Sequence, residues 1–171
     1  YVAIIRRILA REAPLEFDGE LYRIPYRGEG ATGLGKPLRS ILHGDPKLPI
    51  VTGSFSSAGV RLAAEIADGM IPVFMDPLRF DLFARPLAEG FAQAGGGKSL
   101  ADFRVMPFCG VCIHEDPAVA RKPAREHLAL YIGGMGAREK NYYNTYARRL
   151  GYEADAAKIQ ESDTERLNRH V

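Results

Sequence analysis

The sequence contains no tryptophan and only two cysteines, Cys109 and Cys112, in 171 residues. Two cysteines are too few for a disulfide scaffold, so we expect a reduced, cytoplasmic protein. No uninterrupted run of about 18 apolar residues occurs, which predicts that no segment spans a membrane. With 23 basic and 21 acidic side chains, the net charge is only +2. That excess is too small for binding by phosphate neutralisation, so no nucleic-acid partner is expected.

The remaining composition, 46% apolar and 26% charged, is ordinary for one soluble domain with a core. Residues 1–10 place apolar side chains at helical spacing around Arg6 and Arg7, which predicts an amphipathic helix rather than a signal peptide. The helical pattern is already present at the first residue, and the residues that would normally precede a helix are missing. We therefore expect a fragment of a longer protein. We place one domain over residues 1–160 and a frayed polar tail over residues 161–171.

A small β-hairpin is predicted over residues 15–24, where apolar and polar side chains alternate. Its centre, Asp18-Gly19, is typical of a type I′ turn with positive φ angles. Residues 25–48 are rich in glycine and proline, a composition that breaks both helices and strands. We expect a long surface loop there.

The long loop contains two sequences that look like phosphate-binding motifs. Residues 28–33 match G-x-G-x-x-G, and residues 30–36 match a P-loop up to its lysine. A dinucleotide fingerprint must leave a buried strand and enter a helix, and a P-loop needs Ser or Thr where Pro37 stands. Neither motif is therefore expected to bind phosphate.

Strands and helices alternate from residue 49 onward. Strands are predicted at residues 49–52, 70–74 and 103–113, and helices at 58–67, 77–94, 117–132 and 137–150. Helical crossovers of this length join parallel strands, so the fold class is α/β with a parallel sheet. A complete eight-stranded barrel needs about 250 residues. We expect a partial (β/α)8 TIM barrel with the hairpin as an insertion, and an open doubly wound sheet is the alternative.

Cys109 and Cys112 form a C-x-x-C motif with His114 close by in the sequence. They lie inside the third predicted strand, where residues three apart point to opposite faces. A metal would also need two further ligands. We therefore expect two reduced structural cysteines and no metal site.

The turn after the first parallel strand is the best candidate for a functional site. Gly53, Ser54, Ser56 and Ser57 precede a predicted helix, and such small residues let backbone amides approach an anion that the helix dipole favours. Ligands of α/β folds bind at the carboxyl ends of strands. The alternative is a serine N-cap with solvent above it, which the same residues would satisfy equally well.

Residues 49–70 resemble the strand, turn and helix of luciferase-like monooxygenases, in the branch of coenzyme F420-dependent oxidoreductases. Supporting matches are Phe-Asp-Gly-Glu-x-Tyr at residues 17–22 and the segments at residues 32–41 and 131–144. The resemblance runs from Tyr1 to about residue 160 and weakens beyond it. The chain departs from the family pattern at Ser56-Ser57, where relatives commonly have Gly-Pro.

The resemblance implies a TIM barrel about twice this length, of which strands five to seven would be present here. It further implies that residues of the turn help to hold the cofactor, namely Gly53, Ser54, Phe55, Ser56 and Ser57. The implied reaction is hydride transfer between coenzyme F420 and a small organic substrate, with no catalytic residue assignable.

Two alternatives to this function remain open. Within the family, the alternative is an FMN-dependent monooxygenase. Outside the enzymes, the alternative is a non-catalytic fragment that associates with another chain through open strand edges. We expect the fragment alone to be inactive and a homo-oligomer.

Overall fold

The computed structural model describes residues 1–168. These residues fall into two compact units. Unit 1 comprises residues 1–74 and 81–107, and unit 2 comprises residues 75–80 and the described residues from 108 onward. Within the described part of the chain, no helix combines the length and the apolar character needed to cross a bilayer.

Unit 1 contains the parallel sheet. Its helices are α1 (Val2–Ala10), α2 (Ser57–Ile66) and α3 (Asp81–Ala94), and its strands are β1 (Phe17–Asp18), β2 (Arg23–Ile24), β3 (Val51–Gly53), β4 (Gly69–Ile71) and β5 (Arg104–Val105). β1 pairs antiparallel with β2, whereas β3, β4 and β5 pair in parallel in that order. The predicted α/β class with a parallel sheet is confirmed, as are the first helix and the helical crossovers α2 and α3.

Small residues allow α2 and α3 to pack closely. Ala63 and Ala64 of α2 are buried, and a Cβ added to Gly90 of α3 would overlap the α2 backbone. Phe83 of α3 and Met70 of β4 fill the core of unit 1, where both side chains are nearly inaccessible to solvent. This packing fixes α2, and with it the position of the α2 N-terminus.

The hairpin is confirmed, but the type I′ turn is wrong. Asp18 pairs with Arg23 in the antiparallel ladder, so the connection consists of residues 19–22. It closes with a hydrogen bond from Gly19 N to Tyr22 O (2.9 Å). Neither Asp18 nor Gly19 has a positive φ angle, because Asp18 is a strand residue and a longer loop needs no mirror-image turn.

The third predicted strand is wrong over most of residues 103–113. β5 has two ladder residues and, beyond them, a hydrogen bond from Met106 N to Met70 O (3.0 Å). On the β4 side, Pro72 lacks the N–H that a longer ladder requires. The parallel pairing therefore ends soon after Val105.

The segment that follows β5 is exposed. Phe108 and Ile113 are 81% and 93% exposed, and residues 107–114 have no regular secondary structure. Cys109 and Cys112 are exposed in this segment and are not joined in a disulfide. The strand geometry that was expected to separate the two sulfur atoms is therefore absent.

Unit 2 contains α4 (Pro117–Leu128), a π-helix (Ala129–Gly134), α5 (Tyr142–Arg149) and α6 (Glu153–Asn168). The predicted helix over residues 117–132 thus changes its hydrogen-bonding pattern at Ala129. Within the predicted tail, residues 161–168 continue α6, and residues 169–171 lie outside the described residues. Glu153 and Asp155 in the first turn favour α6 through the helix dipole, and Ala156 is buried on its packed face.

Two buried asparagines connect the π-helix to the helices after it. Asn141 Nδ2 donates to Tyr131 O and to Ile132 O, both at 3.0 Å. Asn144 Nδ2 donates to Ile132 O (3.1 Å) and to Ala156 O (2.9 Å). Buried carbonyl groups need such partners, so this amide network stabilises the π-helix and holds α6 against it.

A charged cluster at the amino edge of the parallel sheet joins α1 to the strands. The Asp68 carboxylate, directly before β4, accepts hydrogen bonds from Ile50 N (2.6 Å) and from the Arg6 guanidinium. Burial opposes ionisation of Asp68, but the hydrogen bonds from Ile50 and Arg6 and the charges of Arg6 and Lys98 outweigh it, so its pKa is lowered. The Asp68 main-chain carbonyl also accepts from Arg104 N (2.9 Å).

We predict that Asp68→Asn lowers the free energy of unfolding at neutral pH by about 1 kcal/mol, a value reduced for partial solvent exposure. A lowered folded-state pKa means that the carboxylate stabilises the fold above the ordinary value of 3.8 and loses that effect as the pH falls through the folded-state pKa. Urea unfolding at several pH values checks this. The exposed Asp18→Asn variant is the control and should change the stability by less than about 0.5 kcal/mol; equal losses in the two variants would contradict the prediction.

Candidate functional site

The carboxyl ends of the three parallel strands lie along one edge of the sheet. β3 ends at Gly53 and β4 at Ile71, and Ser54 N donates to Ile71 O (3.4 Å) across that edge. The 53–57 turn, which comprises residues 53–57, connects β3 to α2 at this edge. The structure thus places the predicted site residues where ligands of α/β folds bind.

The 53–57 turn ends in a serine N-cap. Ser56 has extended backbone angles, and its Oγ accepts a hydrogen bond from Gly59 N at 3.0 Å. Its main-chain carbonyl accepts the first helical bond, from Val60 N (2.8 Å). Of the two alternatives left open by the sequence, the N-cap is therefore confirmed for Ser56.

The cap leaves part of the α2 N-terminus open. Ala58 N–H donates to no acceptor among residues 1–168, and Ala58 is exposed. The first amides of a helix have no intrahelical acceptor and carry a partial positive charge. The Ser56 hydroxyl can also donate its own proton while its oxygen accepts from Gly59. An anion and the N-cap are therefore compatible at this turn.

The five predicted site residues differ in exposure. Gly53 and Ser57 are exposed, and Phe55 and Ser56 are half-buried. Ser54 is only 8% exposed, and its Oγ lies 3.0 Å from Thr52 Oγ1. The structure therefore brings Gly53, Ser56 and Ser57 to the accessible side of the turn, whereas the Ser54 hydroxyl pairs with Thr52.

Gly53 leaves open space at the carboxyl end of β3. A Cβ built on Gly53 would have no heavy atom within 4 Å, and its φ is not positive. The glycine is thus not required by its backbone conformation. The open space beside Gly53 at the carboxyl end of β3 leaves room for a ligand at this edge of the sheet.

Two residues near the turn were missed from the sequence. Thr52 partners Ser54, and the two-residue period of a strand, which puts residues 52 and 54 on the same face, is the signal that could have found this pairing. Phe74, three residues after β4, has a φ of 48°, a left-handed conformation that is uncommon for a residue other than glycine. Only the tertiary fold can impose that angle on a phenylalanine.

The titratable groups of the described chain do not form a metal centre at this edge. Among the described residues, no group of three or more His, Cys, Asp or Glu side chains is arranged to hold a metal ion. The 53–57 turn itself contains only uncharged residues. Its attraction for an anion must therefore come from backbone dipoles and hydroxyl groups.

The glycine-rich loop has the structure expected of a surface connection. Gly30 and Gly35 take positive φ angles, and residues 25–49 contain neither helix nor strand. Without a helix after it, the G-x-G-x-x-G sequence has no helix N-terminus to offer a phosphate. The interpretation of both motifs as coincidental matches agrees with this structure.

The sequence profile of the luciferase-like monooxygenases matches residues 1–170 of this chain. The resemblance found in the sequence is thereby confirmed, and it extends beyond residue 160, where it was expected to weaken. A Mycobacterium tuberculosis protein, provisionally named a coenzyme F420-dependent oxidoreductase, is 42% identical over 153 residues, which cover 89% of this chain. The 5,10-methylenetetrahydromethanopterin reductase of Archaeoglobus fulgidus is 28% identical over 78% of it.

A solved structure shows the same fold. The coenzyme F420-dependent tetrahydromethanopterin reductase of Methanopyrus kandleri superposes with a TM-score of 0.60 over 91% of this chain, at 20% identity. The chain corresponds to 44% and 36% of the two sequence relatives and to 44% of the Methanopyrus chain, so it spans less than half of each.

We predict that Ser56→Ala destabilises α2 by about 1 kcal/mol, because Gly59 N loses its acceptor. Faster hydrogen exchange of the Gly59 amide and a lower urea midpoint would report the loss. Ser56→Thr retains an acceptor oxygen and should recover most of the stability. If the two variants behave alike, Ser56 does not act as an N-cap.

Proposed function

This chain belongs to the family of luciferase-like monooxygenases, and from that membership we propose that it forms the phosphate-binding part of a coenzyme F420-dependent oxidoreductase. The supporting observation is the 53–57 turn, which presents exposed helix N-terminal amides at the carboxyl edge of the parallel sheet. A phosphate is the anion best suited to such a helix start.

The residues present fit the phosphate of a cofactor. Gly53 offers unfilled space, Ala58 offers an amide without an acceptor in the described chain, and Ser56 and Ser57 offer hydroxyl donors. We assign Gly53, Phe55, Ser56 and Ser57 to cofactor contact. Ser54 remains in the proposed site as a residue that fixes the turn through Thr52.

When bound, coenzyme F420 supplies the group that accepts or donates a hydride. The chain's own contribution is to bind and orient: the α2 dipole stabilises negative charge, and the N-cap holds the amides in place before a ligand arrives. We propose hydride exchange with a small organic substrate as the reaction, and no catalytic acid is assigned in this chain.

The names of two relatives favour coenzyme F420 over FMN. The Mycobacterium tuberculosis protein and the Methanopyrus kandleri enzyme are both named for coenzyme F420. Both cofactors carry a phosphate, so the 53–57 turn suits either one. Residues outside this turn must therefore discriminate between coenzyme F420 and FMN.

We further propose that β3, β4 and β5 correspond to strands five to seven of a (β/α)8 TIM barrel, within a domain over residues 1–160. Supporting this placement, all three strands are parallel and α2 and α3 connect them. The likeness to the Methanopyrus kandleri enzyme agrees with it at the level of the fold.

A second candidate function is a non-catalytic one, association with another chain. Among the described strands, β3 and β5 each have one unpaired edge, and open edges of this kind favour pairing with a further strand. The exposed apolar residues 106–113 follow β5 directly. This candidate requires association but no cofactor.

We predict that the full-length protein binds coenzyme F420 more tightly than FMN at equal ionic strength, as measured by equilibrium dialysis.

Gly53→Asp should weaken F420 binding by roughly tenfold or more, because its carboxylate would repel the phosphate at short range. Gly53→Asn has the same size without the charge and serves as the matched control.

Equal losses in the Asp and Asn variants would mean that bulk, and not phosphate repulsion, disturbs binding. If neither variant loses affinity for F420, the 53–57 turn is not part of the cofactor site. Tighter binding of FMN, with substrate-dependent oxygen uptake, would instead assign the protein as an FMN-dependent monooxygenase.

We also predict that the 171-residue chain self-associates, because its open strand edges and exposed apolar segment lack partners within the described chain. Sedimentation velocity at several concentrations should show species larger than a monomer. A monomer that unfolds cooperatively would contradict the prediction. Association without any cofactor binding by the full-length protein would favour the non-catalytic function.

A further inference from the structure

A cationic site lies in unit 1, away from the 53–57 turn. A cavity of about 240 Å³ is bounded by the last turn of α1, the segment after it and the stretch around Leu38. Three arginines line this cavity, Arg7, Arg11 and Arg39, and among the described residues the only acidic one lining it is Glu12. Three cations around one cavity repel each other unless an anion is present.

The walls of the cavity are fixed by backbone hydrogen bonds. Leu15 N donates to Leu38 O (2.8 Å), and Leu38 N donates to Leu15 O (3.0 Å). This two-way bridge brings the segment after α1 against the long loop, and Leu15 is buried. The cavity therefore depends on contacts between segments about 20 residues apart in sequence, and no sequence motif signals it.

The three guanidinium groups retain donors for a ligand. One nitrogen of Arg7 donates to Glu16 O (2.7 Å), and one nitrogen of Arg11 lies against the His43 ring (2.6 Å). Each contact orients its guanidinium and leaves other N–H groups available, since arginine has five donors. Arg39 is exposed and makes no hydrogen bond or ion pair to the described residues.

We propose that this cavity binds a compact oxyanion, a phosphate or a carboxylate group, between Arg7, Arg11 and Arg39. Arginine is the residue that best matches the paired oxygens of both groups. The volume is below the roughly 300–1,000 Å³ of pockets that hold drug-sized ligands. It suits a small anion with a few waters rather than the ring of a cofactor.

The oxyanion site is separate from the 53–57 turn. Arg6, next to Arg7 in α1, pairs with Asp68 at the amino edge of the parallel sheet, whereas the turn lies at the carboxyl edge. The proposal does not depend on the proposed oxidoreductase function. A role in recognising an anionic ligand would be an additional property of the chain.

The test is equilibrium dialysis of the 171-residue chain at low ionic strength. It is carried out in the Gly53→Asp background, so that phosphate binding at the 53–57 turn does not contribute. Inorganic phosphate and citrate are titrated separately as probes of the two oxyanion classes. Saturation by phosphate alone assigns the site to phosphate groups, saturation by citrate alone assigns it to carboxylates, and saturation by both assigns it to either group.

Arg39→Ala should weaken the binding by roughly tenfold, because one charge-assisted contact is lost. Glu12→Gln should strengthen it, because the substitution neutralises the acidic residue that lines the cavity. Arg121→Ala removes an exposed arginine of α4 and is the control for net charge. No saturable binding of either anion, or the same effect from Arg39→Ala as from Arg121→Ala, would overturn the proposal.

Glu12→Gln keeps the test decisive if Arg39→Ala disturbs the long loop. A variant that only disturbs the fold cannot increase affinity, so tighter binding supports an electrostatic site at the cavity. Unchanged or weaker binding in Glu12→Gln would count against it. Circular dichroism of each variant shows whether the helices are retained.

Discussion

Unit 1 depends on the Asp68 carboxylate at the amino edge of its sheet. The three parallel strands are short, with two or three ladder residues each, so the ladders alone supply few hydrogen bonds. Asp68 adds bonds to Ile50 before β3 and to Arg6 of α1, and its main chain accepts from Arg104 of β5. One residue thus connects a helix and all three strands.

Lys98 extends this arrangement to α2. Its Nζ donates to Ala67 O at the C-terminus of α2, where a cation also interacts favourably with the helix dipole. Burial lowers the pKa of Lys98, and the charge of Asp68 opposes that shift. Asp68, Arg6 and Lys98 thus form one charged group at the amino edge, and the carboxyl edge carries the small, uncharged residues of the 53–57 turn.

The sequence was sufficient for the fold class, for α2 and for the position of the candidate turn. Apolar periodicity, glycine and serine are local signals, and α2 begins at Ser57, one residue before its predicted start. The end of the third strand could not be found in this way, because Pro72 on the neighbouring strand helps to terminate the ladder. The cavity lined by Arg7, Arg11 and Arg39 likewise depends on a tertiary contact, the bridge between Leu15 and Leu38, whereas the pairing of Ser54 with Thr52 is local.

The π-helix has a consequence for how the chain tolerates changes in length. Its hydrogen bonds span one more residue than those of an α-helix, so it can be regarded as an α-helix that has absorbed an insertion. Deleting one residue between Ala129 and Gly134 would remove this insertion and move the Ile132 carbonyl relative to the helices after it. Asn141 and Asn144 would then no longer meet the carbonyl of Ile132. Insertions and deletions in this lineage should therefore be rare here and common in the loop over residues 25–48, where added length costs little entropy.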